Sequence, residues 1–452
     1  MSHALDSALE GAREANLRRA VRALLRRPLL RAGGAQAEDF RVVRRYASEL
    51  RSWFDTNTGW RLIVDSEVAR LVKLAPTSED PTHPARDPRS RSPFSRRRYV
   101  LSCLALSVLE RADAQITLGR LAERTIHAAA DEQLASAGLA FGLSGREERG
   151  DLVAVVRLLL ELGVLARVAG DEEAYLRDTG DALYDVHRRV LAGVLAPSRG
   201  PSTIAATEFA ERLSQLAADP LPDAEDLRNR AVRHHLTRRL LDDPVLYYDE
   251  LDAEQLAYLT GQRAALTRRV SELTGLVAEI RAEGIAMVDP DGDLTDVGMP
   301  DVGTDGHVTL LLAEHMARRL GGGAVAEQGV EASPEGLRPI SEDELCRLVR
   351  SLAEEHKAYW RRGAQEPGAE VLLVDTALER LAALRLVRRG PDGVAPLPAL
   401  ARYALAAPTI AESPAQLELA GPEQAGPGPN GSRAAGTRQA GSAERPQLGL
   451  PA

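Results

Sequence analysis

One pattern constrains the fold more than any other: an amphipathic helix, a glycine, a short apolar run, a tight turn and a second short run, met four times along the chain. "LLLELGVLARVAGDEEAYLRD" carries it with Gly163 as the break, a turn at 170–173 and then another strand. "IRAEGIAMVDPDGDLTDVG" repeats it with Gly284 and an acidic turn, and "LAALRLVRRGPDGVAPLP" with Arg385 where the glycine would stand. "SWFDTNTGWRLIVDSEVARLVK" has Gly59, with strands on either side of Ser66. Glycine after a helix supplies a left-handed cap, and "PDGD", "GPDG" and "GDEE" suit tight hairpin turns. A helix that runs through a glycine into a hairpin is the second half of a winged helix, whose first half is two shorter helices. The predicted fold is therefore mainly α with short β-hairpins, arranged as tandem winged-helix (wHTH) domains.

Helical spacing puts Leu152, Val155, Val156, Leu159 and Leu162 on one face, and Leu266, Val270, Leu273, Val277 and Ile280 on another. Ser341 with Glu344, and Asp252 with Gln255, have the pattern of capping boxes. "RRYVLSCLALSVLER" is apolar nearly all round, as a buried first helix would be, and Thr117 is placed to cap the helix after it.

Breaks in this patterning predict a domain at 1–75, a linker at 76–94, winged-helix domains at 95–200 and 201–320, a second linker at 321–340 and a C-terminal domain at 341–405. Residues 406–452 are rich in Ala, Gly, Pro and Gln; they bury too little apolar area to offset chain entropy and are expected to be disordered.

Asp289, Asp291, Asp293 and Asp296 suggest a cation loop. Counted from Asp289, however, an EF-hand would need glycine at Leu294 and glutamate at Pro300, so no metal is expected and the aspartates read as a solvated wing tip. His234 and His235 lie on a basic helix without an i,i+4 ligand pair. There is no Walker loop and no nucleophile elbow, so neither a cofactor nor catalysis is expected. Two isolated cysteines, no leader and no long apolar run fit a cytoplasmic protein.

The net charge is −9, yet residues 1–120 hold 22 basic and 14 acidic side chains and are net positive. Within them "ARDPRSRSPFSRRRY" offers Arg86, Arg89, Arg91, Arg96, Arg97 and Arg98 as candidate contacts to DNA phosphates. The other reading is a solvated linker whose arginines pair with the acidic remainder. "DALYDVHRRVLAGVLA" puts Leu183, Val186, Val190 and Val194 on a helical stripe, a candidate partner face. The third helices, "EERGDLVAVVRLLLELG" and "AEVLLVDTALERLAAL", are poor in the basic side chains that read bases, which suits protein docking better than a DNA-binding transcriptional regulator.

"FDTNTGWRLIVDSEVARLVKL" and "PFSRRRYVLSCLALSVLERADAQITLGRLAE" resemble the B subunit of Wadjet, a bacterial anti-plasmid defence system related to condensins. The resemblance extends from about residue 15 to 405. It implies a tandem winged-helix subunit of the KITE class in a condensin-like SMC complex, non-enzymatic and a homodimer. The implied partners are a kleisin-like subunit, an SMC-like ATPase, a topoisomerase-like nuclease subunit and double-stranded DNA engaged without regard to sequence, with no membrane.

Overall fold

A computed structural model describes residues 2–73, 84–132, 136, 141–143, 145–194, 200–217, 225–322 and 339–404. The expected disordered tail, residues 76–83 of the first linker and most of the second linker lie outside them. The chain is mainly helical with short antiparallel hairpins. Its elements form four units, each with a hairpin whose second strand pairs with the extended segment that follows the unit's first helix.

The first unit runs α1 (Ser2–Arg26), β1 (Leu29–Arg31), α2 (Ala37–Arg45), α3 (Ala47–Asn57), β2 (Arg61–Val64) and β3 (Val68–Val72), with strand order β1-β3-β2. The second runs α4 (Arg96–Glu110), β4 (Gln115–Thr117), α5 (Leu118–Ala129), α6 (Arg146–Leu162), β5 (Leu165–Gly170), α7 (Glu172–Leu176), β6 (Ala182–Val186) and α8 (Arg188–Val194). Its strand order, β4-β6-β5, is the same arrangement. The helix α9 (Phe209–Ala217) follows it. Thr117 caps α5 as its sequence predicts, accepting from Arg120 N at 3.2 Å. One of the hairpins differs from expectation: its tip holds the short helix α7, and the return strand is Ala182–Val186.

The third unit is reduced. It has α10 (Glu225–Asp242), β7 (Leu246–Tyr247), a single 3-10 turn, then one long helix α11 (Ala253–Thr274), β8 (Val277–Ile280) and β9 (Gly284–Val288). Sequence spacing carries this helix through Val277 and Ile280, but Gly275 (φ 79°) ends it. Those two residues then lie on a strand, 57 % and 45 % exposed. Gly275, not Gly284, is the helix-ending glycine, and the hairpin turn is 281–283. Helix α12 (Gly303–Gly322), assigned by sequence to the third domain, instead builds the core of the fourth: Val308, Leu312 and Met316 pack with Leu345, Val349, Leu373 and Leu378. That unit continues with α13 (Glu342–Glu355), α14 (Ala369–Ala383), β10 (Val387–Gly390) and β11 (Gly393–Pro396). Ile340 pairs with Val394 as the preceding strand of its sheet.

The first and third units hold each other by the same contacts made twice with roles exchanged. Each third helix ends in Thr–Gly. Thr58 and Thr274 are fully buried; each hydroxyl donates to the carbonyl four residues back and accepts the amide two residues on. Arg22 on α1 donates to the Thr274 carbonyl at 3.0 Å, and Arg238 on α10 donates to the Thr58 carbonyl at 2.5 Å. Four residues earlier on each first helix, Arg18 lies over Gly275 and His234 over Gly59. Unpaired carbonyls at a helix C-terminus carry the negative end of the dipole, so a cation is favoured there. The second unit joins by a related contact, with the Arg31 guanidinium packed over Gly163.

Those glycines need both a positive φ and the absence of a Cβ. At Gly163 (φ 75°) a Cβ would sit 2.1 Å from Arg31 Nη1, and at Gly59 (φ 65°) 2.6 Å from His234 Nδ1. Gly163→Ala and Gly59→Ala should each cost more than about 1 kcal/mol in urea unfolding. Gly261→Ala, inside α11 with nothing within 4 Å, should instead stabilise by up to about 1 kcal/mol.

Candidate nucleic-acid and partner interfaces

Residues 84–95 form a closed turn, not a flexible linker. Arg86 bridges to Pro93, and buried Asp87 accepts the amides of Arg89 (2.8 Å) and Ser90 (3.4 Å). Burial pushes the Asp87 carboxyl up, but these amides outweigh it and leave it below its ordinary value. Ser95 then caps α4, which places Arg96, Arg97 and Arg98 in its first turn. Three cations at the positive end of a helix dipole are unfavourable unless neutralised. Asp151 does this, accepting Arg98 Nε at 2.8 Å and lying 3.3 Å from Arg97 Nε, with Glu148 3.1 Å from Arg97. Arg89 pairs with Glu173, and Arg86 donates to the Arg91 carbonyl at 3.1 Å.

Four of the six candidate arginines, Arg86, Arg89, Arg97 and Arg98, thus have partners within the chain. Of the six, only Arg91 and Arg96 are exposed with no side-chain ion pair or hydrogen bond to another described residue. Arg97 and Arg98 brace α4 against α6.

The partner stripe is corrected as well. Leu183 and Val186 lie on strand β6, and Val190 and Val194 on α8, so the four do not share a helix. Val186 and Val190 are buried in the second unit's core, and Val194 packs against it. Residues 181–196 begin with the return strand of the hairpin, and alternation along 182–186 was hidden by the helical spacing of the valines.

Nor do the four aspartates form a wing tip, although Asp291, Asp293 and Asp296 are exposed. They follow β9, and the Asp289 side chain is 4 % exposed, accepting Arg22 Nη2 at 2.8 and 3.0 Å and the Leu294 amide at 2.7 Å. Asp293 also meets Arg22, and Asp291 lies 3.8 Å from it. The cation at this turn is a guanidinium from the first unit. Among the described residues no group of three or more His, Cys, Asp or Glu is placed to hold a metal, and no helix is long and apolar enough to cross a membrane.

An exposed apolar face occurs elsewhere. On α14, the third helix of the fourth unit, Val371 and Leu372 are 59 % and 63 % exposed, next to Glu370, which pairs with Arg350. Sequence pattern does not single these two out, because they continue an apolar run whose next two residues, Leu373 and Val374, are core.

The four units also define the extent of a comparison with known families. A family model described as a protein of unknown function, DUF2398, matches residues 21–406. The chain belongs to that family. No curated protein and no solved structure matches it. The DUF2398 region takes in the last turns of α1 from Val21, beside the Arg22 clamp, the rest of the first unit and the other three units.

Two measurements test these assignments. Arg98→Ala leaves Asp151 short of a partner in a half-closed site and should lower stability by about 1–3 kcal/mol, whereas Arg96→Ala should be neutral in thermal unfolding. His234 supplies a pH dependence. Its Nε2 lies 3.1 Å from the Thr56 carbonyl, and burial, aided by Arg238, Arg230 and Arg233, pushes it down from 6.5 to about 4. The unfolded chain takes up this proton as pH falls through 6.5; the folded chain refuses it until about 4. Stability is therefore complete above the unfolded value and declines as pH falls toward the folded one, by up to about 3 kcal/mol. Urea midpoints of His234→Asn should decline less over that window than those of the parent chain.

Proposed function

We propose that this DUF2398 protein is a non-enzymatic, KITE-type connector subunit of a condensin-like Wadjet complex, built from winged helices and docking a kleisin-like subunit. The observation that carries the reading is the character of α14. In a base-reading winged helix the third helix enters the major groove and presents Arg, Lys, Asn or Gln. Here it presents Val371 and Leu372 to solvent and holds Glu370 in an ion pair with Arg350. Such a surface recognises protein. The sequence resemblance supports the same reading and spans nearly the same residues as the family match.

Through the kleisin-like subunit the chain would join an SMC-like ATPase, and DNA would be engaged without sequence preference, in a cytoplasmic homodimer that helps to exclude plasmids. Arg91 and Arg96 are the side chains left for phosphate in the arginine-rich segment.

Co-expression with candidate kleisin-like and SMC-like proteins tests the reading. The parent chain should co-elute with them, and Val371→Asp/Leu372→Asp should weaken that association by roughly tenfold or more while unfolding at the parent temperature. A chain that elutes alone and protects one operator sequence would make it a transcriptional regulator instead.

A further inference from the structure

The reciprocal contacts between the first and third units leave a cleft where their helices meet. About 660 Å³ in volume, it is walled by α1 and α3 on one side and α10 and α11 on the other. Leu17, Trp53 and Leu273 supply its apolar surface. Arg18, Arg233 and Arg269 reach it from three different helices, and none has an ion pair among the described residues. Arg233 Nε is out of reach of solvent and has no hydrogen-bond partner among them. Elsewhere in this junction the cations are matched: Arg22 by Asp289, Arg230 by Asp55, Lys73 by Asp242. Unmatched guanidiniums around a tryptophan have the composition of a binding hot spot.

The rim selects among anions. Glu10 and Glu49 are taken up by Arg13, at 3.2 and 2.8 Å, and Glu272 lies 3.7 Å from Arg268. Glu14 stands with them at the cleft. A duplex, with one negative charge per about 1.7 Å of axis, would bring a row of phosphates against Glu14 and disturb the pairs that Glu10, Glu49 and Glu272 already make. A peptide can place single carboxylates on the guanidiniums, an apolar side chain on Trp53 and amide donors toward the glutamates. The volume suits a few side chains, not a whole domain.

We propose that this cleft docks an acidic peptide segment of a partner protein, its carboxylates on Arg18, Arg233 and Arg269 and one apolar side chain against Trp53. The assignment does not depend on the partner being a kleisin.

The test uses the full chain and a set of short fluorescein-labelled peptides of Glu and Asp with one Trp, Phe or Leu at varied positions, read by anisotropy. At least one should bind, and its Lys-for-Glu counterpart should not. Arg233→Glu/Arg269→Glu should weaken the binding by roughly tenfold or more, and Trp53→Leu should weaken it independently, with thermal midpoints confirming that both variants fold. Three results would overturn the proposal: no acidic peptide binding at all, binding indifferent to both variants, or displacement by ATP or duplex DNA at concentrations comparable to the peptide.

Discussion

Buried arginines on helix C-termini organise this molecule. Arg22 and Arg238 each leave their own unit to donate to the last carbonyl of the other unit's third helix, and the Thr–Gly sequence makes that carbonyl reachable. The glycine turns the backbone into the left-handed region and gives the guanidinium room. The threonine hydroxyl meanwhile accepts the local amide that would otherwise compete for that carbonyl, and donates to the carbonyl one turn back. Because the donors are charged and shielded from water, each contact is stronger than an ordinary amide bond, and removing either partner leaves the other unsatisfied. The Arg22 clamp is reinforced by Asp289, so an acidic turn that resembles a cation loop in the sequence is the anchor of a joint between units.

The fourth unit shows the same economy with a different residue. Arg385 stands where the other units have glycine and adopts the left-handed conformation itself (φ 54°). Its backbone carbonyl accepts the Tyr247 hydroxyl at 2.7 Å, and its guanidinium reaches Asp243 at 2.8 Å and Glu250 at 2.5 Å. The strain of a positive φ at a non-glycine residue is held by these contacts to the third unit. An arginine that caps its own helix and reaches across the joint does the work of glycine and guanidinium together. The third unit, reduced to a small core of its own, lends Leu273 to the first unit's core and Val245 and Tyr247 to the fourth's. It is stable as a hub more than as a module.

Local signals in the sequence were legible, and long-range ones were not. Gly59 and Gly163 end helices as their spacing predicts, and the caps at Thr117, Asp252 and Ser341 form. The Asp252–Gln255 capping box closes in both directions. Errors arose where one period imitates another: Val277 and Ile280 fit a helical face but lie on a strand, and the stripe from Leu183 to Val194 joins a strand to a helix. The Thr–Gly repeat in "NTGWRLI" and "LTGLVAEI" was visible and marks both reciprocal joints, but its meaning depends on Arg22 and Arg238, hundreds of residues from the carbonyls they cap. No spacing rule links such positions.

Charge makes the same point about function. The first 120 residues are rich in arginine, which taken alone reads as a phosphate-binding surface. In the folded chain those arginines are spent largely on joints and braces: Arg22 and Arg31 between units, Arg19 on Glu38 and Asp39, Arg97 and Arg98 on Asp151. What a partner meets is the remainder after this internal pairing. It consists of scattered exposed arginines such as Arg91 and Arg96, an apolar edge at Val371 and Leu372, and the cleft around Trp53. Affinity for DNA scales with the number of phosphates neutralised, so arginines already paired within the chain count for less than the composition alone suggests.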